Sequence, residues 1–229
     1  MALPVTQKNS VTVQTTLPVQ PYPLASERNP IKTERLIIRP FQASDLDALY
    51  ELRQQPEVMQ YTKRGVPDIN RTESQEILNT MMGTPGNSMF NFAICDGKTN
   101  ILIGTGGCHL RVGQVGWPEI GYMFRKEAHG KGYATEFVNA FLAAYWALPR
   151  VRTQVVVDAQ TVELNEGVTD ARECLGATTT ADNKLSHSVL QKTGFKHVKA
   201  YRELANNPQE EGDMVTLWAW TLERPLNVT

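Results

Sequence analysis

The chain reads as a mixed α/β domain built on one sheet, and three observations predict this. Its apolar residues switch repeatedly between the alternating spacing of strands and the three-to-four spacing of helices. A glycine-rich turn, His129-Gly-Lys-Gly-Tyr-Ala-Thr-Glu136, separates a strand-like run from a long apolar-striped segment. A hydrophobic fraction of 41% over 229 residues supplies an ordinary core.

The elements follow in order. Residues 1–30, rich in Thr, Val, Gln and Pro, carry prolines at 4, 18, 21, 23 and 30 and lack helical spacing, so a flexible arm is expected. Residues 31–225 then form a single domain. Thr33–Pro40 suits a strand, with Leu36 and Ile38 alternating against Arg35, Ile37 and Arg39, and Pro40 closing it. Ser44 and Asp47 form a capping-box-like pair opening a helix that buries Leu46, Leu49 and Tyr50. A second helix is expected after Thr72, turning Ile77, Leu78, Met81 and Met82 inward. Phe90–Cys95 and Ile101–Leu110 read as a hairpin around Asp96–Asn100. Trp117–Phe124 is another strand. After the glycine turn, Ala134, Phe137, Val138, Phe141, Leu142 and Tyr145 mark a helix that Pro149 ends. Val151–Asp158 is a β-branched strand, and Lys184–Thr193 a short helix stopped by Gly194. Phe195–Glu203 and Asp213–Leu222 finish the sheet. No internal repeat is present.

Composition removes several function classes. With 23 basic against 24 acidic side chains there is no electrostatic footprint for nucleic acid. No apolar run is long enough to cross a bilayer, and the first ten residues lack the pattern of a signal or transit peptide. The three cysteines, 95, 108 and 174, are odd in number and lack CxxC spacing. His109 beside Cys108 has no second pair to complete a tetrahedral metal site, so no metal is expected. A reducing, cytoplasmic location is the expectation.

The glycine turn is the chemical signal. A Walker loop requires Ser or Thr after its lysine, but Lys131 is followed by Gly132, and Arg125 stands where its first glycine should be. A dinucleotide fingerprint fails at Thr135, with no acidic ribose reader in the right context. What remains is a strand, a turn and a helix start, whose unpaired amides and dipole favour an anion. Glycine permits close approach of a diphosphate, and Lys131 or His129 adds positive charge.

A second patterned stretch, Asn183-Lys-Leu-Ser186-His-Ser-Val-Leu-Gln-Lys-Thr-Gly194-Phe195, follows later in the chain. Together the two resemble the GCN5-related N-acetyltransferase (GNAT) superfamily, over roughly Lys32–Leu222. The pattern (Gln/Arg)-x-x-Gly-x-(Gly/Ala) is matched by His129-Gly130-Lys131-Gly132-Tyr133-Ala134, with His in place of Gln or Arg. The opening TERLIIRPFQASDLDALYEL and the runs GTGGCHL and PEIGYMF resemble the RimJ/RimL-like branch. The resemblance implies a mostly antiparallel central sheet with flanking helices and acetyl-CoA as co-substrate. It implies cofactor contacts from Met123, Phe124 and Arg125 at the end of the strand, from His129, Gly130, Lys131, Gly132, Tyr133, Ala134 and Thr135 in the turn, and from Asn183 and Ser186. The implied acceptor is a primary amine, either a protein N-terminus or a small molecule, attacked directly in a ternary complex.

Amide formation requires an amine base, an oxyanion site and a proton for the departing thiolate. The family's frequent acid, a tyrosine, is replaced by Leu190; Ser186 matches the donor proposed for the RimL-like branch, or is a cofactor-binding hydroxyl, with Tyr201 a weaker substitute. Glu203 and Glu119 compete as the base. Residues 159–182 look like an insertion bearing Glu163, Glu166, Asp170 and Glu173 against Arg172, either a surface excursion or an acidic rim for a cationic amine. The apolar strands with Trp218 and Trp220 are a candidate homodimer face. The rival reading is a non-catalytic acyl-CoA-binding or scaffold domain.

Overall fold

The computed structural model describes residues 9–83, 89–163, 169–204 and 212–226. Ten strands are present among them: β1 (Ser10–Pro18), β2 (Ile31–Lys32), β3 (Leu36–Arg39), β4 (Phe90–Asp96), β5 (Leu102–Leu110), β6 (Glu119–Phe124), β7 (Arg150–Asp158), β8 (Cys174–Thr180), β9 (Lys196–Leu204) and β10 (Met214–Glu223). The helices are α1 (Leu46–Arg53), α2 (Pro56–Met59), α3 (Arg71–Met82), α4 (Tyr133–Trp146) and α5 (Lys184–Lys192). Eight strands form the central sheet in the order β2-β3-β4-β5-β6-β8-β10-β9. Its neighbours are antiparallel except β6 and β8, which run parallel. The mostly antiparallel mixed α/β architecture expected from the sequence is therefore the observed one.

Periodicity explains the layers. On α4, Phe137, Phe141 and Tyr145 recur every four residues, stack on one another and pack against Phe90 and Phe92 of the sheet. On the other side, Leu46, Leu49 and Leu52 of α1 and Leu78 of α3 bury against Ala93, Cys95 and Leu102. Two helix starts differ from expectation. Asp45 is drawn into a fork with Arg39, at 2.7 and 2.8 Å, and also accepts from the Gln42 amide, so a 3₁₀ turn at Ala43–Asp45 replaces the Ser44 cap. Asn70 rather than Thr72 caps α3, accepting from the amides of Thr72 and Glu73.

Three larger departures matter for the site. Ser10–Pro18 is not a flexible arm: β1 pairs antiparallel with β7 over nine residues, from Ser10↔Asp158 to Pro18↔Arg150. Val13 is fully buried beside Val115, Trp117 and Val157. Tyr22 enters the main core, and the Arg28 guanidinium stacks on Phe90 and Phe92 while donating to the carbonyls of Pro23, Asn91 and Met89. Secondly, Val151–Asp158 is a strand but stands outside the central sheet, in the β1–β7 ribbon. The strand beside β6 is β8, inside the segment expected as an insertion; CLGATTT hides its strand character behind a glycine and three threonines. In that segment Glu173 is buried against Arg150 at 2.9 Å and Asp170 pairs with Arg152, so neither is a free acidic rim; Glu163 is exposed and Glu166 lies outside the described residues. Thirdly, Trp220 is buried and donates to Thr179 Oγ1, and Trp218 stacks on His187, so this pair serves the interior of the chain rather than an open dimer face.

The ribbon meets the sheet through the β5–β6 loop. Asp158 N–H donates to Val115 O, and Gly116, at φ +87°, lies so close that a Cβ there would stand 2.2 Å from Val156 O. Gly116→Ala should therefore cost about 2–4 kcal/mol, from the left-handed backbone and the forced separation of two chains. A denaturant midpoint unchanged from the parent protein would show that the loop does not lean on the ribbon.

Among the described residues no helix is long and apolar enough to cross a membrane, and no three His, Cys, Asp or Glu side chains gather as a metal site.

Candidate active site

Strands β6 and β8 share one pair, Glu119↔Gly176, and then part. The gap opens a cleft of about 600 Å³ walled by β6 from Glu119 to Met123, by Ala177–Thr180 of β8, by Asn183 and Ser186 at the start of α5, and by Leu190 further along that helix. Beyond Glu119 the β8-facing edge of β6 has no strand partner among the described residues. Glu203 of β9 lines the same cleft. The structure thus brings Glu119, Glu203, Ser186, Asn183 and Met123 together.

The glycine turn follows the end of β6 opposite Glu119, and the strand itself spans roughly 16 Å at the usual rise per residue. Gly130 and Gly132 have φ of +72° and +82°, which glycine adopts without penalty, and Gly132 caps α4. The first bond of α4 is Glu136 N–H to Gly132 O, which leaves the amides of residues 132–135 without an intrahelical partner. A Cβ built at Gly130 meets nothing within 4 Å, so the space above the turn is open. Phe124 is buried at the strand's end, and Tyr133, Ala134 and Thr135 are half-buried in the first turn of α4.

Two predicted contacts are otherwise engaged. The Arg125 guanidinium donates to Ala48 O and Glu51 of α1. His129 Nε2 donates to Phe124 O at 2.9 Å, so the imidazole pins the turn to β6 rather than offering charge to a ligand. Lys131 is exposed at the turn. Arg35, missed in the sequence, takes a place at the turn: it donates to Lys131 O, pairs with Glu136 at 2.6 Å and stacks on Tyr133 at 4.7 Å.

At the Glu119 end the polar side chains interlock. Glu119 is 5% exposed, and its Oε2 accepts from Gln114 N–H at 3.2 Å and Thr178 Oγ1 at 3.0 Å. Burial pushes its carboxyl above the usual range; these two donors oppose the shift, and the nearby Glu203 charge adds to it. Gln114 Nε2 donates to Glu203 Oε2 at 3.4 Å, so one residue of the β5–β6 loop touches both carboxylates. His109 Nε2 stands 3.8 Å from Glu119 Oε1, and burial holds its imidazole below the ordinary value.

His109 was set aside in the sequence because it failed as a metal ligand. The pairing of β5 with β6 passes from Cys108↔Ile120 to Leu110↔Glu119, so His109 is the extra residue of a β-bulge, which re-aims a side chain. Its ring lies over Gly121, where a Cβ would come within 2.9 Å of it. The legible signal was the broken alternation in GGCHLRV beside a glycine on the next strand. Tyr122, also missed, donates to Ser186 O at 3.5 Å, while Asn183 Oδ1 accepts from Ser186 N–H at 3.1 Å. These contacts fix the start of α5 against the open edge of β6. Tyr201 lies on β9 near both glutamates, its hydroxyl pushed up mainly by burial.

The arrangement joins a glycine turn with free helix-start amides, an open strand edge and a buried carboxylate. Residues 35–196 match the family described as acetyltransferase (GNAT) domain. The uncharacterized N-acetyltransferase YnaD of Bacillus subtilis is 30% identical over 112 residues, 49% of this chain and 62% of that protein. The chain thus spans less than two thirds of that relative's length. A GNAT-family acetyltransferase from Bacillus anthracis superposes with a TM-score of 0.63 at 23% identity, over 86% of this chain and 99% of the other. The spermidine N-acetyltransferase of Vibrio cholerae, solved with CoA and spermine, superposes at 0.60 with 16% identity, over 84% and 97%. The family match covers most of the chain and runs from β3 to the start of β9, so the protein belongs to the GNAT acetyltransferase domain family.

Proposed function

We propose that the protein is an acetyl-CoA-dependent N-acetyltransferase of the RimJ/RimL-like branch, moving an acetyl group to a primary amine by direct attack in a ternary complex. One observation carries the reading. The described residues include five buried carboxylates, and four have a basic partner: Asp45 with Arg39, Asp68 with Arg53, Asp158 with Lys199, and Glu173 with Arg150. Glu119 has no Lys or Arg partner, and it faces the cleft. An unpaired buried charge is costly, so the carboxyl is drawn towards its protonated form until a cation arrives, and an ammonium group fits that demand.

The residues fit acetyl-CoA on their own geometry. The open space above Gly130 and the unpartnered amides of α4 suit a diphosphate, with Lys131 and Arg35 beside it. The edge of β6 offers backbone to an extended arm. The Met123 and Phe124 amides face opposite edges of the strand: Arg125 N–H donates to Ile103 O of β5, and the Phe124 amide, on the open side, is the candidate for stabilising the tetrahedral oxyanion. The length of β6, roughly 16 Å at the rise of a strand, lies between turn and carboxylate and suits an elongated acyl carrier.

Glu119 is assigned as the base in preference to Glu203. It accepts the ammonium proton, which frees the lone pair; each pH unit below the amine pKa otherwise costs ~1.4 kcal/mol. The amine nitrogen then bonds to the acyl carbon. As the tetrahedral intermediate collapses the C–S bond breaks, the thiolate takes a proton from a hydroxyl, and the nitrogen gives up its second proton, which restores that hydroxyl. Ser186, with its amide held by Asn183, is the proposed donor. A protein N-terminus and a small-molecule amine both satisfy this chemistry.

The test is cofactor binding followed by turnover. Gly130→Asp puts a carboxylate where the diphosphate would lie, and acetyl-CoA affinity should fall about a hundredfold or more by calorimetry. Gly130→Asn has the same shape, tolerates the left-handed backbone and lacks the charge, so it should lose far less. Equal affinity in the parent and Gly130→Asp would remove the turn from cofactor binding. Tight acetyl-CoA binding without transfer to a broad amine panel would favour the scaffold reading.

A further inference from the structure

Glu203, a rival for the base, stays in the cleft once Glu119 has that role. It is half-buried, receives Gln114 Nε2 at 3.4 Å, and has no Lys or Arg partner among the described residues. Two carboxylates therefore share one cleft, bridged by one neutral residue. The charged and titratable groups around them do not offset this. Arg53 of α1 lines the cleft, but its guanidinium is forked onto Asp68 at 2.7 Å through two nitrogens. Lys63, beyond α2, is exposed. His109 of β5 is a neutral neighbour, since burial opposes its protonation, and Tyr201 of β9 is held protonated by burial.

A third group points the same way from a different strand. Asn91 of β4 is 8% exposed, lines the cleft and donates through Nδ2 to Met89 Sδ. Its Oδ1 is buried with no hydrogen-bond partner, a state that costs free energy unless a donor arrives. Asn91, Gly107 and Gly121 are cross-strand neighbours in one row, and the two glycines leave a floor on which Asn91 Oδ1 and the His109 ring lie. The cleft is thus provided with acceptors in excess of donors and with two carboxyl groups for one reacting nitrogen.

The geometry points to an acceptor that carries a second cationic nitrogen a few atoms from the amine that is acetylated: a small aliphatic diamine, with Glu119 receiving the reacting nitrogen and Glu203 holding the other. This rests on the acetyl-transfer reading and narrows its acceptor. Reassigned in this way, Glu203 is a specificity residue. It contributes Coulomb attraction to the bound dication and leaves the proton transfer to Glu119.

The experiment compares 1,4-diaminobutane with butylamine as acceptors for the parent protein and for Glu203→Gln. The parent should prefer the diamine by about tenfold or more in kcat/KM, and the preference should shrink as salt is raised. Glu203→Gln should lose most of that preference through KM, with a much larger loss for the diamine than for butylamine. Equal use of the two amines by the parent, or equal losses for both in Glu203→Gln, would overturn the assignment. So would acetylation of basic peptides with both small amines refused. Calorimetric binding of 1,4-diaminobutane to the CoA-loaded protein supplies a readout independent of turnover. Weaker binding to Glu203→Gln supports the second cation site even if the acetyl-transfer reading fails, and identical binding removes it.

Discussion

Removing residues 1–30 is expected to lower the melting temperature by roughly 10 °C or more, where a flexible arm would leave it unchanged. The truncation strips β1 from β7 and takes Val13 out of a small core shared with Val115, Trp117 and Val157. It also removes Tyr22, 3% exposed, from the main core, where its ring packs on Phe90 and its hydroxyl meets Cys108 Sγ at 3.5 Å. Truncating one such buried aromatic costs about 3–5 kcal/mol. In a protein of this size each kcal/mol shifts the midpoint by about 2–4 °C, so Tyr22 alone accounts for most of the expected drop. Tyr22→Ala and Arg28→Ala, measured singly, should each reproduce part of it, because Arg28 donates to three carbonyls. A midpoint for the truncated protein within about 2 °C of the parent would mean that the segment is not docked. The loss should also reach the cleft. With β1 gone, β7 loses its pairing partner, and β7 is what holds Val115 and Gly116 beside Gln114.

That coupling shows where the sequence was legible and where it was not. Helix α4 could be read because its aromatic residues repeat at the helical period and face one layer, a local property. The glycine turn could be read because positive φ restricts residue type at each position. Strand β1 could not, because SVTVQTTLP alternates only weakly and its order comes from a partner about 140 residues away. The same non-local pairing misled the reading of β7 and β8. Residues 150–158 have the better strand composition, yet the ribbon takes them, and CLGATTT enters the sheet because its backbone fits between β6 and β10. In the cleft, Glu119, Glu203 and Ser186 were legible from motif context. His109 depended on a one-residue bulge, Gln114 on a loop folded back over Glu119, and Asn91 on facing two glycines across strands. None of these is a property of neighbouring residues in the chain.

Glu119→Gln should separate catalysis from stability, moving them in different directions. If the carboxylate accepts the ammonium proton, its loss lowers kcat/KM by about 10²–10⁴-fold, the usual contribution of a positioned base, while acetyl-CoA affinity stays within a few-fold. Stability has its own sign. Burial raises the Glu119 carboxyl pKa in the fold, so its stabilising contribution is present below the unfolded carboxylate value and is lost as pH rises through the folded one. At neutral pH the ionised side chain is therefore a cost to the fold, and an amide that still accepts from Gln114 N–H and Thr178 removes it. The variant should melt no lower than the parent at pH 7, and any gain should fade on acidification as the parent's carboxyl takes up its proton. The rate profile gives the third readout. In the parent, kcat/KM should rise with pH through the raised carboxyl pKa, and in the variant only the acceptor amine's own titration should remain. A variant that keeps more than about a third of the parent's kcat/KM would move the base elsewhere in the cleft. Lower melting at every pH, with activity and cofactor affinity lost together, would make Glu119 a structural acid whose counter-charge comes from no substrate.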